Sequence, residues 1–342
     1  SRGICATRSN SNYFQDNTIY NLFGNNKFNS ANAILIGGSY IPSDSNIIEG
    51  NEIFQIHGGN ADESGIGIYH KGDPDDFNEY AQITNNSIYN VTNQGGDRGA
   101  IGIQLYYTQY FSVSNNQISN ITGDINADRS GEVFMSHNSA HNQVTMNTIS
   151  NCLGSGRNGG NGMHIADTNA DTYSFNDISN CRNRDNNDMR GGNGIYGWNF
   201  KNSHLSHNSI EDVFAGPTTD FSGNGILLYH EGDNNVVAEN YIKNCHGNGN
   251  LATGQGIVLA GGSCTNQFEK NILEEENFAF LIRPDYTGDT DENSLRENVV
   301  NKIHVQNGDR NYFIDNIVNE FYFDDSDTNH IVGNYDANGN VP

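Results

Sequence analysis

An asparagine returns down this chain at a nearly constant interval, in almost every case two residues before an aliphatic side chain. The anchors are Asn17, Asn51, Asn86, Asn116, Asn147, Asn176, Asn208, Asn240, Asn271, Asn298, Asn316 and Asn334. Their spacing runs between 27 and 35 residues as far as Asn298 and then falls to 18. A period of this size means one supersecondary unit stacked many times, so the chain must fold as a rod of repeats.

The content of a repeat decides which rod. One unit reads Ala81-Gln-Ile83-Thr-Asn-Asn86-Ser-Ile88-Tyr-Asn90-Val91, then a polar loop, then Gly99-Ala-Ile101-Gly-Ile103-Gln-Leu105. Apolar residues alternate with period two over short runs, which is a strand signature. No sustained helical stripe occurs, so helical repeats are excluded. Three short strands per turn, with Asn and Gly at the corners, predict an all-β fold: a single-stranded, right-handed parallel β-helix of about twelve coils. Corner asparagines tolerate the left-handed backbone region, and stacked copies can hydrogen-bond to one another. Ile88, Ile118, Ile149, Ile178, Ile210 and Ile242 should form one interior column. Residues 1–342 read as one domain, with loop-walled coils within 60–260 and short loop-free rungs over 293–334.

Composition agrees where it bears on this. Only 5 prolines occur, as expected if most backbone N–H groups serve in sheets. The 35% hydrophobic content and net charge of −24 would suggest disorder without the repeat. Cys152, Cys181 and Cys245 share one inward column and read as small buried hydrophobes, close enough across a rung for the first two to bridge if oxidised. No transmembrane run or signal peptide is seen, and the chain reads as beginning inside or just after a processed region. The expected location is secreted or cell surface, without membrane insertion.

The loops before each Gly-Ile strand are long in the middle of the rod and nearly absent at its C-terminal end. A scaffold gains nothing from long loops on one edge, whereas a cleft needs walls. That places function across coils three to eight. Arg98, Arg129, Arg157 and Arg190 recur at one edge of four consecutive coils, joined by Arg182 and Arg184. Guanidinium groups at rung spacing suit a linear polymer bearing carboxylates or sulfates. Local pairing with Asp97, Asp128, Asp185 or Asp188 is the alternative. Counting by twos along the Gly-Ile strands gives an outward row Tyr69, Tyr106, Ser136, Ala166, Trp198 and Tyr229, flanked by Tyr196, His164, His137 and His230. Aromatic faces beside polar groups are what sugar rings stack on. Nucleic acid is disfavoured, because an acidic body with no basic run lacks the long-range positive potential that phosphate binding needs.

The Asn-x-Ile and Gly-Ile-x-Ile units resemble the repeats of the pectate-lyase-like β-helix superfamily, along essentially the whole chain. That resemblance implies an extracellular, polysaccharide-degrading protein. The Asn-rich, acidic coils are also similar to the disaggregatases of methanogenic archaea, which implies cleavage of an acidic, chondroitin-like cell-wall polymer. Neither resemblance supplies a motif that transfers residue by residue. Asp73-Pro74-Asp75-Asp76 half resembles the Asp-Pro-His-acid element of alginate epimerases. Available chemistry then sets the candidates. Hydrolysis needs two carboxyls, and Glu132 and Asp167 on adjacent coils are the leading pair, with His137 or His164 assisting. Elimination would instead use Tyr106, His137, His164 or Arg129 around a neutralised uronate. Arg98, Arg129, Arg157, Arg190, Tyr106, Tyr196, Trp198, Tyr229 and His230 are the expected substrate-binding residues. No cofactor or metal is expected, homo-oligomerisation is left open, and a non-catalytic carbohydrate-binding rod is the third reading.

Overall fold

The computed structural model describes residues 2–25, 31–37, 42–60, 62–95, 98–125, 129–156, 158–184, 190–217, 220–248, 252–274, 279–284, 290–326 and 328–341. Among them the chain is all-β, a parallel solenoid built from one 21-stranded, one 12-stranded and one two-stranded sheet. Every pairing between its strands is parallel, as in Ile88↔Ile118 and Ile118↔Ile149.

The anchors explain why the chain coils at all. The residue before each anchor sits in the left-handed region, whether Asn85 (φ 57°), Asn115 (φ 57°), Met146 (φ 56°) or Phe175 (φ 56°). That corner turns the next side chain inward. The backbone N–H and Nδ2 of Asn86 both donate to Oδ1 of Asn116, at 3.0 and 2.9 Å. Asn116 in turn donates through Nδ2 to Asn147 Oδ1 at 2.9 Å and to the carbonyl of Ile83 at 2.8 Å. Only an amide supplies the acceptor and both donors that this position demands. The ladder runs unbroken from Asn17 to Asn334. It closes nine full-length turns between Asn17 and Asn298, followed by two of 18 residues. About twelve coils were expected, the short rungs counted among them, so the count differs slightly while the fold class stands.

The predicted isoleucine column stands in register inside the rod, with Ile178↔Ile210 and Ile210↔Ile242 continuing it. Beside it Cys152, Cys181, Val213 and Cys245 stack, with the first two sulfurs 3.0 Å apart and both thiols buried. A second ladder at another corner passes through Asn142, Asp171, Ser203, Asn235 and Asn266. Asp171 occupies an amide's place there, fully buried, accepting from the Asn142 N–H and the Tyr173 hydroxyl. A third ladder, Asn161–Asn193–Asn224–Gln255, runs the other way: each later backbone N–H donates to the side chain one turn earlier.

The Gly-Ile strands carry one departure from the expected pattern. Their alternation is interrupted at a bend, where Gly102 and Ile103, or Val133 and Phe134, are consecutive and both members face the core in the second pair. Just before that bend the backbone must adopt positive φ, at Ala100 (53°), Gly131 (73°) and Gly65 (74°). Gly131 is therefore the counterpart of Ala100, not of Gly99, since Gly99 pairs with Ser130. Counting by twos from Gly131 displaced that coil by one residue. Met135 faces out, in register with Gln104 and His164, and Ser136 faces in beside Leu105 and Ile165. Tyr69 likewise belongs with Gln104, and Lys71 with Tyr106. The true outward columns are Tyr69–Gln104–Met135–His164–Tyr196 and Lys71–Tyr106–His137–Ala166–Trp198–Tyr229.

Candidate functional site

On the outer face of these strands lies a cleft of 430 Å³, lined by Arg98, Arg129, His137, Asn158, His164, Ala166, Asp167, Arg190, Tyr196 and Trp198. Its floor is the pair of outward columns. Its cationic edge comes from the strand starts, where Arg98 and Arg129 are register partners on neighbouring rungs. Rungs in a sheet lie about 4.8 Å apart, so two guanidinium groups can reach one or two adjacent anionic groups. Arg98 has Glu63 behind it at 3.9 Å, whereas Arg129 has no ion-pair partner among the described residues. Arg190 is stacked over the Trp198 and Tyr229 rings, at 4.7 and 4.2 Å from their centroids, and donates to the Tyr229 hydroxyl at 3.2 Å. A cation resting over two neighbouring aromatic rings holds its position without needing a carboxylate.

The floor carries the titratable groups. His164 is buried and its Nδ1 lies 2.7 Å from Glu132 Oε1. With Glu132 on Nδ1, the other ring nitrogen is the one left for the cleft. Glu132 itself is 0% exposed and its Oε2 has no hydrogen-bond partner among the described residues. The expectation that Glu132 faces substrate as half of a carboxyl pair is thus corrected. Glu132 does point outward, in register with Ile101, but it is buried against His164 and can act only through that imidazole. Tyr196 is paired with His164 on the next rung and its ring stacks on the imidazole at 4.9 Å. Burial pushes the Tyr196 phenol well above the ordinary tyrosine range, with Arg190 pulling part of the way back.

His137 lies on the neighbouring column, its ring edge-on to His164 at 6.4 Å and stacked on Tyr106 at 5.5 Å. Burial, helped by His164, Arg129 and Arg98, lowers its pKa to about 3. At neutral pH it is therefore an uncharged imidazole, and its 3.9 Å approach to Asp167 is a dipolar contact, not an ion pair. Asp167 is held by Asn199 Nδ2 at 2.9 Å and is the carboxylate that opens to the cleft.

Several expected binding residues stand elsewhere. Tyr106 backs His137, and Tyr229 is buried beneath Arg190 in an apolar cluster with Phe221, Leu227 and Val258. His230 leans on Trp198 at 4.5 Å, away from the cleft lining. Arg182 covers Phe214 on a different face, and Arg184 bonds the carbonyl of Gly123, so neither joins the arginine row. Arg157 lies outside the described residues, as do Asp97, Asp128, Asp185 and Asp188. The cleft spans four rungs, fewer than coils three to eight, because the apolar cluster around Phe221 and Ala252 covers the floor beyond Trp198. Sequence reasoning missed Asn158, Glu63 and Lys71. Asn158 and Glu63 lie in irregular loops with no periodic neighbour to betray their direction, whereas Lys71 ends the strand Ser64–Lys71 in register with Tyr106 and was lost when that coil was counted from Tyr69. Among the described residues no group of three or more His, Cys, Asp or Glu side chains could hold a metal ion.

No protein-family model and no curated protein matches the chain. Among solved structures it is similar to DFA-IIIase from Arthrobacter chlorophenolicus A6 in complex with DFA-III, at 14% identity and TM-score 0.47, over 92% of this chain and 70% of that one. It is also similar to the mannuronan C-5 epimerase A-module of Azotobacter vinelandii, at 10% identity and TM-score 0.33, over 86% and 90%. A third is the Streptococcus pneumoniae surface protein and adhesin PfbA, at 12% identity and TM-score 0.34, over 94% and 91%.

Proposed function

We propose that the chain is a polysaccharide-degrading enzyme that cleaves an acidic, uronate-containing polymer, and that it does so by β-elimination. The observation that carries this reading is the buried Glu132–His164 pair opening onto a cleft edged by three arginines. Abstraction of the proton on C5 of a uronate requires its carboxylate to be neutralised, so that charge can spread onto it as the C–H bond breaks. Arg98, Arg129 and Arg190 suit that task. His164 accepts the proton through its cleft-facing nitrogen, and Glu132 stabilises the imidazolium that results. Trp198 gives the sugar a face to pack on.

Hydrolysis, the first expectation from sequence, would need two carboxyls on either side of the scissile bond. Among the described residues the cleft presents only Asp167, since Glu132 is sealed behind His164. That asymmetry favours elimination.

The test is incubation with chondroitin-type, pectic and alginate polymers. Elimination gives an ultraviolet-absorbing C4–C5 double bond, and His164→Ala should lower its rate by a factor of about 10²–10⁴. Glu132→Gln should reduce the rate less and shift its pH profile, with binding retained. New reducing ends without absorbance would establish hydrolysis in its place. Binding with neither would make the protein a carbohydrate-binding module.

A further inference from the structure

The position of the acid and base relative to one another carries a stereochemical consequence. Every cleft-lining proton-transfer group among the described residues comes from the floor strands: His137 from Arg129–His137, His164 and Asp167 from Met163–Asn169, and Tyr196 from Ile195–Lys201. His164 and Tyr196 belong to the same outward column on adjacent rungs, with ring centroids 4.9 Å apart. The cationic edge offers only guanidinium groups, which do not give up protons at working pH. A sugar lying on this floor meets base and acid on one face of its ring.

We infer that the enzyme performs syn-elimination and therefore acts on uronates whose C5 proton and C4 oxygen lie on the same face, those of D-gluco or D-manno configuration. This rests on the elimination reading above. His164 takes the C5 proton, the C5–H electron pair forms the C4–C5 double bond, the C4–O4 bond breaks, and Tyr196 donates its hydroxyl proton to the departing oxygen. The proton held on His164 then returns to the tyrosinate, so no co-reactant is consumed. Burial keeps Tyr196 protonated until the leaving oxygen needs it. In D-galacturonate, L-iduronate and L-guluronate the C5 proton and O4 lie on opposite faces. No described group stands above the ring to serve them.

The test uses the whole chain and polymers of defined configuration. Polymannuronate and chondroitin are the same-face probes, whereas polyguluronate, dermatan and polygalacturonate are the opposite-face probes. Unsaturated product from at least one same-face polymer, with none from the opposite-face set, is the expected result. Unsaturated product from opposite-face polymers, alone or at comparable rate, overturns the inference and leaves elimination standing. No unsaturated product from any polymer sinks both. As a second arm, Tyr196→Phe should lower kcat by about 10²-fold or more with little change in KM. A uronate carrying fluoride at C4, which leaves without a proton, should recover most of that loss. Equal loss on the fluoride substrate would mean that Tyr196 merely positions the sugar.

Discussion

Two buried residues set opposing pH dependences on the rod. Burial raises the Asp171 pKa from 3.8 to about 7, although the Asn142 N–H and Tyr173 hydroxyl pull against it. Between those values the folded state keeps a proton that the unfolded chain has lost, so stability falls as pH rises through that window. Asp171→Asn should therefore raise the thermal midpoint at pH 8 and leave it nearly unchanged near pH 4. His70 works in the other direction. It is packed edge-on against Phe111 at 4.6 Å, and burial lowers its pKa from 6.5 to about 3. Below 6.5 the unfolded chain takes up a proton that the folded state refuses, so this contribution is lost as pH falls towards 3. His70→Leu should flatten the acid limb of the stability profile, measured by urea titration across pH. Met146 is a third case, a side chain 54% exposed on a left-handed backbone. Asn occupies the same corner in the two preceding turns, and Met146→Asn should stabilise by about 1 kcal/mol in the same titration.

At the scale of a turn, the ladder asparagines carry more than their side-chain area suggests. Asn116→Ala would strand the Asn86 donors and the Ile83 carbonyl, a cost of about 2–4 kcal/mol. Asn116→Asp keeps the acceptor but sets a carboxylate oxygen against two carbonyl-type oxygens, so it should be no milder. Denaturant midpoints for both variants against wild type would decide this. The same demand for one amide per turn is why the fold was legible in sequence: no other side chain meets it, so Asn repeats and the isoleucine two residues on repeats with it. The Gly-Ile strands were legible only in part. Period two cannot register a bend at which alternation lapses, and a glycine required for positive φ looks the same as one required for packing. The Gly131 coil therefore slipped by one from Phe134 onward, and the burial of Glu132 behind His164, where a cleft carboxyl was expected, is a packing outcome that no period encodes. His137, His164, Asp167, Tyr196 and Trp198 were brought together correctly because their rungs are adjacent whatever the exact register. Arg182 follows the register of its strand, beside Leu153 and Phe214, on a different face from the cleft, while the aim of Arg184, just past that strand, depends on loop geometry that no period encodes.

For the molecule as a whole, the net charge of −24 opposes any polyanion that its arginine edge would hold. Long-range repulsion acts over the whole body, while the guanidinium contacts act within the cleft. Cleavage of a long acidic polymer should thus first quicken and then slow as salt is raised, whereas a short oligosaccharide should show only the decline. Initial rates across a salt series on both substrates would test it, and a monotonic fall on the polymer would contradict it. The four-rung construction of the cleft has one more consequence. Arg98, Arg129, His164 and Trp198 come from four successive turns, and in a rod each turn touches only its neighbours. Fraying at either tip leaves those four in place. Lineages of this chain are accordingly free to lengthen or shorten the rod at its ends, one asparagine at a time, while any gain or loss of a turn between Arg98 and Trp198 dismantles the site at a stroke.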